Sequence, residues 1–175
     1  MRKLFVWLGL VIVLLVTNFV IISKERILAE GDLLLLDIAP RDPRSIMQGD
    51  YMTLRYRIAQ EIEAALGKNR TDGYAVVKQD DTKVAQLVRL YVEGASLATD
   101  EHLLRYRYRG DHVKVATDAY FFQEGHGQIY NAAHYGKFRV SKSGEVVLVG
   151  LCDANLHTLT ADASGNAQPA ACLDQ

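Results

Sequence analysis

His102-Leu103-Leu104-Arg105-Tyr106-Arg107-Tyr108-Arg109-Gly110-Asp111-His112-Val113-Lys114-Val115 is the stretch that decides the fold. Leu104, Tyr106 and Tyr108 alternate with Arg105, Arg107 and Arg109, the period of two that turns one face of a strand to a core and the other to water. Gly110 and Asp111 supply a two-residue turn of the Gly-X kind before Val113 and Val115 resume the alternation. This is a β-hairpin.

The same pattern extends outward in both directions. From Asp50 to Ile58, Met52, Leu54, Tyr56 and Ile58 form one apolar face of an expected strand, opposite Thr53, Arg55 and Arg57. Further strands are expected at Leu33–Ile38, Tyr74–Lys78, Leu87–Val92, Lys137–Val140 and Val146–Leu151, the last two joined by a turn at Lys142, Ser143 and Gly144. Helical periodicity occurs at Ala59–Leu66, stopped by Gly67, and a second short helix is expected over His126–His134. The fold class is therefore α+β and β-rich: a small, mainly antiparallel sheet domain with one or two short helices.

At the N-terminal end the pattern changes. Leu4–Ile22 holds nineteen residues without a charge, roughly 28 Å of helix at 1.5 Å per residue, close to the hydrocarbon thickness of a bilayer. Arg2 and Lys3 precede it, as in a secretory signal peptide. The run exceeds the usual signal core, however, and bulky Ile27 two before Ala29 spoils the nearest cleavage site. An uncleaved anchor over residues 1–23 is expected, followed by a domain at 24–159 and a flexible tail at 160–175, whose Ala, Asp, Ser, Gly, Asn, Gln and Pro show no apolar period. The leading positive charges and the short leader predict a single-pass protein of a bacterial inner membrane, with the domain on the extracytoplasmic, periplasmic side.

Beyond Glu30 the chain has 16 basic and 19 acidic residues, a net charge of −3. That is the wrong balance for a nucleic-acid binder, which must neutralise phosphates. The two cysteines, Cys152 and Cys172, close a loop of about twenty residues if oxidised; reduced, they are two thiols, one of them in the tail.

Between the first two apolar runs the chain reads Pro40-Arg41-Asp42-Pro43-Arg44-Ser45-Ile46-Met47-Gln48-Gly49-Asp50-Tyr51-Met52-Thr53-Leu54-Arg55-Tyr56. It resembles the signature of the GDYXXLXY family, with Gly49, Asp50, Tyr51, Leu54 and Tyr56 at the named positions. A second block, Phe121-Phe122-Gln123-Glu124-Gly125-His126 followed by Ala133, Tyr135, Gly136, Phe138, Arg139 and Val140 and then by Gly144, Glu145, Leu148, Val149, Gly150, Leu151 and Asp153, looks like the family's downstream part. The resemblance implies a small bacterial membrane-anchored protein of no assigned activity, encoded beside polytopic membrane proteins, so a polytopic membrane partner is the expectation. It also implies that binding, if it occurs, involves Arg41, Asp42, Pro43, Arg44, Gly49, Asp50, Tyr51, Leu54, Tyr56, Glu124, Gly125 and His126.

Residue chemistry offers the motif a scaffold role as well. A glycine before a strand permits positive φ, an Asp beside it bonds turn amides, and Leu54 and Tyr56 bury. The run also looks faintly like the signal-peptidase core, but that chemistry needs a serine and a lysine base well upstream of the Gly-Asp pair, whereas Ser45 lies four residues before Gly49. Glu124, His126 and His134 match no compact zinc spacing. No metal or other cofactor is expected. The Arg105, Arg107 and Arg109 ladder suits anionic headgroups or a carboxylate-bearing partner, or is a solvated face kept from edge pairing by charge. The sequence predicts a non-enzymatic tethered domain; the competing expectation is a hydrolase with a site around Asp50, Glu124 and His126.

Overall fold

The computed structural model describes residues 2–39, 51–161 and 167–173. It opens with helix α1 (Arg2–Glu30), 29 residues long and about 43 Å at 1.5 Å per residue. From Phe5 to Ile22 the large apolar side chains are exposed all round, and this is a helix long and apolar enough to cross a membrane. It outruns the expected span, continuing as helix through Lys24, Glu25 and Arg26 to Glu30.

A single residue, Gly31, separates α1 from strand β1 (Asp32–Asp37). Gly31 donates its N–H to the Ile27 carbonyl at 3.0 Å, and a Cβ on it would stand 2.4 Å from that same oxygen. Only glycine fits so abrupt an exit from the helix. The Arg139 guanidinium bonds the Gly31 carbonyl at 2.9 Å and Lys24 pairs with Glu145 at 3.5 Å, so the end of α1 is fastened to the sheet as well as joined to it.

β1 leads a five-stranded antiparallel sheet in the order β1, β8 (Tyr135–Val140), β9 (Val146–Cys152), β10 (His157–Ala161), β11 (Ala167–Ala171). A four-stranded sheet runs β4 (Ala85–Leu90), β3 (Gly73–Gln79), β5 (Glu101–Arg109), β6 (His112–Val115). A ribbon of two short strands, β2 (Tyr51–Thr53) and β7 (Ala119–Phe121), completes the set. Helix α2 (Arg57–Leu66) presents Ile58 and Ile62 to the interior, and α3 (Gly127–Tyr130) is one short turn. The α+β, β-rich class expected from the alternation holds.

Leu34, Leu35 and Leu36 are all fully buried. Leu34 and Leu36 join the main core with Phe138, Leu104, Ile62 and Leu54, whereas Leu35 points to the opposite face, where Val84, Cys152 and Cys172 surround it. β1 is thus buried on both sides, which explains its uninterrupted leucines. Its open edge is closed by the turn after β3: Leu35 donates to the Lys83 carbonyl at 3.0 Å, and the Gln79 amide donates to the Leu33 carbonyl at 2.6 Å. The Asp80 carboxylate holds that turn, accepting from the Thr82 and Val84 amides, each at 2.9 Å.

Four local expectations are corrected. The expected strand over Asp50–Ile58 stops at Thr53, because Ile58 also stands four residues before Ile62 and the helical spacing wins from Arg57 onward. The second helix covers Gly127–Tyr130 rather than His126–His134, since His134 is already bonded through its N–H to the Cys152 carbonyl at 2.8 Å. Gly110 and Asp111 both take positive φ, 57° and 63°, the signature of a type I′ turn rather than a Gly-X one. Residues 160–171, expected as a loose tail, instead supply the end of β10 and all of β11 among the described residues. β11 needs no apolar period because it pairs through its backbone at the sheet's edge.

Cys152 and Cys172 form a disulfide with a Cα–Cα distance of 6.1 Å. Replacing Cys172 by serine (Cys172→Ser) is predicted to cost about 3 kcal/mol by loop-entropy reasoning, measured as the difference in urea unfolding of full-length protein in detergent. Reductant is expected to lower the wild type toward the variant and leave the variant unmoved.

Candidate functional site

Tyr51–Tyr56 runs between the end of β1 and β7 and is bonded to both. Tyr51 pairs with Phe121, Met52 with Tyr120 and Thr53 with Ala119, and the Leu54 N–H extends the ladder to the Asp118 carbonyl at 2.7 Å. On the other side Ala39 donates to the Arg55 carbonyl at 2.8 Å and Ile38 bridges to Tyr56. The alternation read from the sequence sets the facing: Met52, Leu54 and Tyr56 are buried, while Tyr51 and Arg55 look outward.

Tyr56 is the keystone of the inner face. Its hydroxyl donates to the Thr117 carbonyl at 3.1 Å, and its ring meets Phe138 edge-on with centroids 5.5 Å apart. Burial first, and the Asp118 carboxylate second, push the phenol well above its ordinary range, so it stays a neutral donor. The ring has room because residue 136 is glycine: a Cβ there would lie 2.7 Å from Phe138 and 3.3 Å from Tyr56.

Pairing of β2 with β7 brings together two parts of the chain seventy residues apart in register, Tyr51 against Phe121. Beyond β7, Phe122 stacks on Tyr130 with centroids 5.1 Å apart, and Tyr120 meets the same ring at 5.1 Å. Burial and the neighbouring Tyr130 raise the Tyr120 phenol to about 12. Glu124 and Gly125 then form an exposed turn, with Gly125 at φ 84°, closed by the His126 N–H on the Gln123 carbonyl at 3.1 Å. On the outer side Tyr51 and Phe121 form an aromatic pair with centroids 5.7 Å apart, and Phe121 is 75% exposed.

A cleft of about 360 Å³ opens beside this ribbon, walled by Thr53–Tyr56, by Gln60 and Glu63 of α2 and by His112 and Lys114 of β6. Within it His112 Nδ1 lies 3.8 Å from Glu63. The sequence did not single out Gln60, Glu63, His112 and Lys114 of this wall as site residues, nor Thr117, Asp118, Tyr120 and Tyr130. The α2 periodicity and the β5–β6 hairpin were legible, but their convergence on Tyr56 was not.

The arginines of β5 are used unequally. Arg105 pairs with Glu145, whose carboxyl is held below its usual range chiefly by that bond. Arg109 grips Asp72 with two nitrogens, at 2.9 and 3.0 Å; the Tyr108 N–H, then Arg109, hold Asp72 low. Arg107 is exposed and has no ion-pair partner among the described residues.

Of the residues singled out by motif, Tyr51, Leu54, Tyr56, Glu124, Gly125 and His126 fall on or just beyond this ribbon. Arg41, Asp42, Pro43, Arg44, Gly49 and Asp50 lie outside the described residues. Among the described residues no three His, Cys, Asp or Glu side chains are placed to hold a metal. A model of the GDYXXLXY protein family matches residues 13–151. No curated protein and no solved structure matches the chain.

Two outcomes follow from this geometry. Gly136→Ala forces the Phe138 ring into Tyr56 and is predicted to cost about 1–3 kcal/mol as an overpacked core, read by thermal unfolding; Tyr56→Phe, which loses only the Thr117 bond, costs about 1 kcal/mol. Because the Glu145 and Asp72 carboxyls are lowered in the fold, their stabilisation is present above the ordinary carboxylate pKa and is lost as pH falls through the depressed values. Urea midpoints are therefore expected to drop between neutral pH and about pH 3, and Glu145→Gln is expected to flatten that drop.

Proposed function

The chain belongs to the GDYXXLXY protein family, and from that membership and the geometry above we propose that it is a non-catalytic accessory domain, tethered by α1 in a bacterial inner membrane, that docks on a polytopic membrane partner from the periplasmic side. The observation that carries this reading is α1 itself. Its large apolar residues from Phe5 to Ile22 are exposed, without cover from any other described residue, and an oily surface of that size is stable only in lipid or against other membrane helices.

Two further features support it. A disulfide joining Cys152 to Cys172 suits an oxidising compartment rather than the cytosol. The Tyr51 and Phe121 pair offers an exposed aromatic anchor of the kind that dominates protein interfaces, and it sits where the two halves of the family pattern meet.

The test is made in cells on the full chain. It is expected to stay in membranes through an alkaline carbonate wash, to resist protease in intact cells and to be cut once the outer barrier is opened. A photoreactive amino acid at position 121 is expected to yield an adduct with an integral membrane protein, and one at position 68 is not. Recovery in the soluble fraction without detergent overturns the tether, and equal labelling from both positions overturns the docking surface.

A further inference from the structure

Where α1 meets the sheet, a shallow groove of about 680 Å³ runs along the outer face of β5. Its rim carries Lys24 from α1, Arg105, Arg107 and Arg109 from β5, and Lys114 from β6. Two carboxylates line it as well: Glu145, shared between Lys24 and Arg105, and Asp118, held by Lys114. Adding Asp72, which engages Arg109 from outside, five cations meet three carboxylates, leaving two positive charges over. Arg107 is the cation among them with no ion pair to any described residue. Val146, Val147 and Leu148 of β9 supply the apolar part of the lining, its floor, with Val146 and Leu148 also packing against the main core.

The groove's height is set by α1. Lys24 stands two residues past Ile22, the last residue of the uncharged run, or about 3 Å along the helix axis. The polar layer of a leaflet is roughly 5–7 Å deep, so if α1 spans the bilayer the groove opens among the headgroups. A cationic rim over an apolar floor at that depth matches an amphiphile with an anionic head. A free anion would use the rim and leave the floor unused.

We propose that this groove binds the headgroup of an acidic phospholipid in the leaflet from which α1 emerges. Arg107 donates to the phosphate oxygens, a geometry for which the guanidinium fork is suited, while the β9 floor meets the glycerol and upper acyl carbons. The inference rests on the reading of α1 as a membrane span, and it adds a ligand class to that reading. Juxtamembrane basic clusters are drawn to anionic leaflets in this way, and the attraction weakens with salt.

The experiment uses the full-length chain reconstituted in phosphatidylcholine bilayers with a trace of spin-labelled phosphatidylglycerol or spin-labelled phosphatidylcholine. The fraction of each probe immobilised by the protein is read by electron spin resonance. The expected result is a preference for phosphatidylglycerol of about fivefold at low salt, reduced by high salt and by Arg107→Gln, and retained by Lys68→Gln, which replaces an exposed cation away from the groove. Unchanged thermal unfolding of Arg107→Gln confirms that the loss is not misfolding. Equal immobilisation of the two probes by protein that resists a carbonate wash overturns the groove and leaves the tether standing; protein that washes off overturns both. Abolition of the preference by millimolar inorganic phosphate at constant ionic strength also overturns the proposal, by making this a site for a soluble anion.

Discussion

Burial of β1 on both faces is the constraint from which the rest of the architecture follows. A strand with one wet face needs one layer of cover, but Leu34 and Leu36 on one side and Leu35 on the other need two. The main core supplies the first. The second is a small cluster of Val84, from the turn after β3, with Cys152 and Cys172, and the disulfide fixes the C-terminal hairpin in that role. Removing any of these layers would expose fully buried leucine, at roughly 1.5–3 kcal/mol for each such side chain.

The same strand places the site. Its C-terminal end carries Ile38 and Ala39, which bond the Tyr51–Tyr56 segment on one side while β7 bonds it on the other. Sequence positions that look like two separate blocks become one ribbon, with an apolar inner face around Tyr56 and an outer aromatic pair. Its N-terminal end follows α1 after one residue, so the helix and the sheet domain share a frame: Lys24 pairs with Glu145, which closes the β8–β9 turn, and Arg139 bonds the junction. Charge is placed to match. The side of β5 that carries arginines faces the end of α1, and the opposite side carries Leu104 and Tyr106 into the core.

How much of this was legible depends on whether the signal was local. The alternation of Leu104, Tyr106 and Tyr108 with arginines gave the hairpin, and the burial of Met52, Leu54, Tyr56 and Ile58 agrees with their spacing. Yet Ile58 serves two periods at once, two residues from Tyr56 and four from Ile62, and nothing nearby in sequence says where the first yields to the second. The C-terminal strands were missed for a different reason. β10 and β11 form through backbone pairing and a distant cysteine, and neither leaves an apolar period in the sequence. β7 was missed because three residues are too few to show a period, and its strand character is set by its partner β2. The unequal use of the three arginines was equally hidden, since Glu145 and Asp72 reach them from the connections that lead into β9 and β3.

Order of synthesis gives the β1–β8 ladder a further meaning. Asp32 pairs with Val140 and Asp37 with Tyr135, so the leucine-rich strand leaves the ribosome about a hundred residues ahead of the strand that covers it. At about 5–20 residues per second the gap lasts roughly 5–20 s, during which four consecutive leucines stand without their sheet beside an equally oily helix. A chain built this way reaches its fold late, and in the meantime is a natural client for chaperones that shield bare strands.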